Sequence, residues 1–211
     1  MIIYLRDYLG YSQAVASAMN SVFATLVYLT PLLGGYIADA SWGRYRTIAI
    51  FGTVYFAGTA LMALSSYPGR ENKDLFMFAF FGLVALGAGG IKSNVVTMGG
   101  DQFNLDFPEE SEQKDTYFIY FYWVINVGAL FSYFVMAQVA TEPQDFGLPL
   151  GWGFFGTFSM AAGSLALALT TFFSASSKYV GSNSVRLSFL SIAAKIVFSH
   201  VLCGARAPTP L

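Results

Sequence analysis

Five long apolar runs, separated by short polar stretches, organise most of the chain. They are Gln13 to Ala38, Tyr45 to Ser66, Leu75 to Gly100, Tyr117 to Ala140 and Gly151 to Phe173. Each has about 20 residues or more, enough at ~1.5 Å per residue to cross ~30 Å of hydrocarbon as a helix. Barrel strands would need only ~9–11 residues with strict alternation, so the pattern predicts helices. Punctuation agrees with the runs. Ser12 is a good N-cap for the first, and the third ends on Gly99-Gly100, a pair suited to a helix C-terminus. Polar segments lie between them: "SWGR", "YPGRENKD", "NLDFPEESEQKD" and "TEPQDFGLP".

The two ends depart from this pattern. "MIIYLRDYLG", residues 1–10, offers roughly 14 Å of helix and carries Arg6 and Asp7, so it reads as the tail of a spanning helix. Residues 174–202 read as a cytoplasmic or interfacial segment, because Arg186 and Lys195 do not fall on one clean polar face. Residues 203–211 read as a disordered tail.

Composition supports lipid as the solvent. Only 11% of the 211 residues are charged while 55% are hydrophobic, and a soluble domain averages roughly 25% charged residues. The expectation is an all-α, multi-pass integral membrane protein. A net charge of −1 gives no electrostatic case for a nucleic-acid partner. The single cysteine, Cys203, excludes an internal disulfide framework, and the lone His200 reads as incidental. Lys and Arg counts near the spans favour one orientation. Arg44, Arg46, Lys114, Lys178 and Arg186 share one side, which is expected to be cytoplasmic, against Arg6, Arg70 and Lys73.

One charge changes the picture. Lys92 stands in "FFGLVALGAGGIKSNVVTMGGDQF", with no other charge between Asp74 and Asp101. It lies ~12 Å of helix from the nearer end of its run. An ammonium at that depth costs ~2.5–3.5 kcal/mol on insertion scales, and normally faces an aqueous cavity or a partner. Snorkelling to the interface is the alternative. The face favours a cavity or a helix contact, since Gly82, Ala85, Gly89 and Lys92 fall within about 80° of one another. Two other runs carry polar stripes: Ser17, Ser21, Thr25 and Tyr28 in the first, and Tyr122, Asn126, Ala129 and Tyr133 in the fourth. For the Ser/Thr set, ordinary interhelical packing explains the pattern as well. Asn126 and Tyr122, one turn apart, are the better solute-facing pair. "GAGGIKS" is no phosphate loop, because Lys92 follows Ile91 rather than glycine and no strand precedes it. No metal cluster, Ser/His/Asp set or paired buried carboxylates suggest an enzyme.

Three stretches resemble the proton-dependent oligopeptide transporter family of the major facilitator superfamily. "GGYIADASWGRYRTI", Gly34 to Ile48, is similar to its first signature and to the superfamily's loop motif. "GAGGIKSNVVTMGGDQF" is similar to its fourth-helix motif, and "FYWVINVGALFS" to its fifth-helix signature. The resemblance implies a six-helix N-terminal half of that fold with the first helix truncated: its tail at 1–10 and helices two to six over 13–173. It also implies a missing C-terminal six-helix half as partner.

The function implied is symport of di- or tripeptides with protons, with the proton gradient as driving force and no cofactor. Lys92 inherits a role in proton coupling. Tyr28, Tyr122 and Asn126 inherit contacts with the peptide, and Asp39, Gly43 and Arg44 the gating loop. A desolvated ammonium has its proton affinity lowered and a nearby carboxylate restores it, so a change of partner links solute to proton. The family's first-helix E-x-x-E-R-F motif is absent here, Arg6 and Asp7 are no substitutes for it, and Ser21 stands where animal members carry histidine. Alternative expectations are a transporter of nitrate, amino acids or other small carboxylates, and a truncated membrane fragment that transports nothing by itself or acts as a partner of a full-length transporter.

Overall fold

The computed structural model describes residues 1–179, so the expectations for the stretch beyond Tyr179 lie outside the described residues. Five helices long and apolar enough to cross a membrane are present among them. They are α1 (Gln13–Trp42), α2 (Arg44–Ser65), α3 (Lys73–Gly100), α4 (Pro108–Thr141) and α5 (Gly153–Ser174). No strand occurs among the described residues.

Local chemistry sets the helix ends. The Ser12 side chain accepts from the Val15 N–H and caps α1, and Asn72 does the same for α3 through Leu75. The α4 boundary corrects the sequence expectation. Its helix starts at Pro108, nine residues before Tyr117, with proline in the first turn and Glu109 and Glu110 beside it. That acidic stretch is helix rather than loop, and α4 has 34 residues, about 51 Å of rise, so it outruns the hydrocarbon.

The expected turn at Asp39–Arg44 is also corrected. Helix continues through Ala38–Trp42 with wider π-type pitch and stops at Gly43 alone. Gly43 has φ 75° and ψ 158°, a conformation that favours glycine. Its carbonyl accepts both the N–H and the hydroxyl of Thr47, which caps the start of α2.

In lipid, helix association relies on close packing and on hydrogen bonds between helices rather than on expelling water. α3 shows both, lying between α1 and α2 on opposite glycine faces. Toward α1, Gly34 meets Gly90 backbone to backbone, and Gly89 lies against Thr30. Toward α2, Gly87 meets Tyr55, and Gly90 also meets Phe51. A Cβ on Gly87 would come within 2.5 Å of the Tyr55 Cβ, so the approach requires glycine.

The N-terminal stretch is a packed part of this bundle. Tyr4, Leu5 and Leu9 are buried with Ala16, Met62, Phe76, Phe80 and Phe154. The Tyr4 ring centroid lies 4.7 Å from Phe76, 5.0 Å from Phe154 and 5.4 Å from Phe158. Arg6 and Asp7 sit on the exposed side of this segment and bond to each other.

Candidate functional site

α1 and α3 bring two of the sequence-predicted residues together. The Lys92 ammonium stands over the Tyr28 ring, 4.3 Å from its centroid. At that distance the negative face of the ring attracts the cation. No carboxylate lies within ion-pair reach of Lys92 among the described residues. Both side chains are exposed in this chain, Tyr28 by 70%. Lys92 is therefore not enclosed by the helices of the described residues. Gly89 and Ala85, which share its stripe, are buried against Thr30, whereas Lys92 faces outward.

Long side chains on a helix lean toward its N-terminus, and this carries the lysine stem back toward Tyr28. Ser17, Ser21 and Thr25, one to three turns before Tyr28, are exposed too. The Ser21 hydroxyl donates to the Ser17 carbonyl and the Thr25 hydroxyl to that of Ser21, so the stripe satisfies itself within α1.

Tyr122 and Asn126 do not join this pair. They lie one turn apart on α4, where the Asn126 amide donates to the Tyr122 carbonyl at 2.8 Å. Both side chains are exposed, and none of Pro108–Phe131 is buried. No hydrogen bond, ion pair or ring contact connects either side chain to Lys92 or Tyr28.

The second assembly stands where α1, α2 and α3 end together. Arg44, the first residue of α2, donates to the Asp101 carboxylate at the end of α3, and its other terminal nitrogen lies 3.8 Å from the Asp39 carboxylate. One guanidinium thus ties the end of α1 to the end of α3. Asp101 was missed as a site residue by the sequence reading. The signal was there, because it is the next charge after Lys92 and belongs to the same motif. A cavity of about 280 Å³ opens beside the pair, lined by Trp42, Arg46 and Tyr179 among others.

Both side chains are about one quarter exposed, so solvent screening moderates the strength of this bridge. Arg44→Ala and Asp101→Ala should each lower thermal stability, and a double-mutant cycle should return a coupling of about 1 kcal/mol. The swapped pair Arg44→Asp with Asp101→Arg should recover part of the loss. Independent, additive effects would show that the bridge contributes nothing.

Comparison with known proteins decides the family. The POT family model, PTR2, matches residues 45–205. The chain belongs to the POT family. "Peptide transporter family 1" of Drosophila melanogaster is 38% identical over 134 residues, covering 63% of this chain and 18% of that protein. "Solute carrier family 15 member 1" of Rattus norvegicus is 32% identical over 196 residues, covering 85% of this chain and 26% of that protein. A crystal structure of an auto-inhibited POT family peptide transporter superposes with a TM-score of 0.68 at 30% identity. It covers 80% of this chain and 30% of that one. The chain therefore spans between about a fifth and a third of the length of these three relatives. As a POT family member with five membrane-length helices, it is an integral membrane protein of a transporter family, and these relatives are not enzymes.

Proposed function

We propose that the full-length form of this protein moves di- and tripeptides across a membrane together with protons. In this reading residues 1–10 end the first transmembrane helix, and α1 to α5 are helices two to six. A second six-helix half supplies the opposing wall. The observation that carries the reading is the Lys92–Tyr28 pair. It puts a titratable cation on the open side of α3, inside the family's fourth-helix motif, held by a π face and by no carboxylate of the described residues.

The chemistry follows from the competition between partners. An aromatic face favours the charged lysine by ~0.5–2 kcal/mol, whereas a carboxylate at ion-pair distance favours it more. A peptide carboxylate and a protonatable acid of the missing parts are rivals for that one cation. When the peptide arrives the acid is released and can take up a proton, so the two occupancies are linked. Tyr28, Tyr122 and Asn126 offer hydroxyl and amide groups for peptide termini and backbone. Asp39, Gly43 and Arg44, extended by Asp101, steady one conformation of the rocking halves.

The test uses the full-length protein in liposomes. An imposed proton gradient should accelerate uptake of labelled dipeptide, and unlabelled dipeptide should compete while nitrate does not. Competition by nitrate without peptide uptake would transfer the reading to the small-anion alternative. Transport by the 211-residue chain alone would remove the need for a second half.

A further inference from the structure

The Lys92–Tyr28 contact depends on how α1 and α3 are registered, and their interface is smooth where it is closest. Gly34 faces the Gly90 backbone with no side chain on either surface, while the Thr30 side chain packs against Gly89. The Gly34–Gly90 pair packs tightly but presents no knob of its own to oppose sliding or rotation, which leaves that to the Thr30 side chain and to directional bonds. Directional bonds add to that contact in fixing the register, and two buried polar side chains supply them reciprocally.

Thr30, on α1 two residues after Tyr28, shares its one hydroxyl proton between the Ala85 carbonyl of α3 at 3.0 Å and the Leu26 carbonyl of its own helix at 2.9 Å. Asn94, on α3 two residues after Lys92, answers from the other side. It is 2% exposed, and its amide nitrogen lies 3.1 Å from the Gly34 carbonyl of α1 and 2.8 Å from the Gly90 carbonyl of its own helix. An amide has two N–H donors, one for each helix, which a single hydroxyl could not provide. Two residues along a helix is about 200° of rotation, so neither Thr30 nor Asn94 faces the site itself. They act on Lys92 and Tyr28 only through the placement of the helices.

We propose that Thr30 and Asn94 are positioning residues, a two-way clamp that holds α1 and α3 in the register that sets Lys92 against Tyr28. This rests on the role proposed above for Lys92.

The test measures two transport modes on full-length protein in liposomes, each per mole of folded transporter: dipeptide uptake driven by a proton gradient, and dipeptide exchange without a gradient. Exchange needs no net proton movement, so it reads peptide binding and crossing apart from the coupling step. Thr30→Val and Asn94→Leu, which keep volume and remove the donors, should lower the maximal rate of driven uptake about tenfold, with exchange KM held within about twofold. Thr30→Ser, which keeps the hydroxyl, should restore driven uptake to within about twofold of the parent. A fall in both modes together, or unchanged driven uptake in both donor-less variants, overturns the clamp. If Asn94→Leu does not fold, the valine and serine variants at Thr30 decide alone. Lys92→Ala runs in parallel. If it abolishes driven uptake while the donor-less variants do not, only the clamp fails, and if it leaves driven uptake intact, both readings fail.

Discussion

Gly34→Ala and Gly35→Ala, adjacent substitutions in one helix, should move thermal stability in opposite directions. A Cβ on Gly34 would come within 2.6 Å of the Gly90 Cα, 3.2 Å of the Gly89 carbonyl oxygen and 3.3 Å of the Gly90 nitrogen. All three are backbone atoms of α3 and cannot swing aside, so the helices must part. Overpacking of this kind costs ~1–3 kcal/mol, and parting would also stretch the Asn94 bond to the Gly34 carbonyl. A Cβ on Gly35 would meet nothing within 4 Å. There alanine contributes up to ~1 kcal/mol through its better helix propensity. With about 2–4 °C per kcal/mol for a chain of this size, the melting temperatures should diverge by several degrees. Leucine at Gly34 should leave little folded protein, whereas leucine at Gly35 is accommodated. Thermal unfolding in one detergent, followed by circular dichroism, reads both pairs. Equal losses at the two positions would mean that α1 does not present Gly34 to α3.

Spans and site residues were legible in the sequence to different depths. The spans were readable because lipid imposes one simple demand, about 20 apolar residues in a row. Their ends were less readable, because a helix leaving the membrane turns polar without unwinding. "PEESEQKD" at the start of α4 and "ADASW" at the end of α1 look like loops by polarity, yet both are helical. The signals that mattered were Pro108 as a helix starter and Gly43 as a stopper. Single-helix periodicity placed Tyr28 and Lys92 on polar stripes, but it could not say which stripe meets which. Pairing is a property of two helices. The same limit hid the second glycine face: the stripe of Gly82, Ala85 and Gly89 was visible, while Gly87 and Gly90 against α2 were not. Asn94 and Thr30 escaped notice because a buried amide and hydroxyl look ordinary until their bonds cross to another helix.

Replacing Lys92 with alanine should reduce proton-driven dipeptide uptake by the full-length protein about 10–100-fold. Hydrogen bonds to charged groups contribute ~1.5–3 kcal/mol, and each ~1.4 kcal/mol is a factor of ten. Alanine removes the cation for which the solute carboxylate and the protonatable acid compete, so neither occupancy influences the other. Arginine at the same position separates charge from titration. Its guanidinium remains charged whatever its partner, stacks on an aromatic ring and binds a carboxylate with two parallel bonds. Lys92→Arg should therefore keep dipeptide binding, with an exchange KM no higher than that of the parent. Its uptake should no longer accelerate with the gradient, because the tighter two-bonded carboxylate does not give way to a rival. The ring of Tyr28, 4.3 Å from the ammonium, is the neighbour that either replacement leaves in place. Undiminished gradient-driven uptake by the alanine variant would remove Lys92 from the coupling mechanism. Full recovery by the arginine variant would show that a fixed positive charge suffices there.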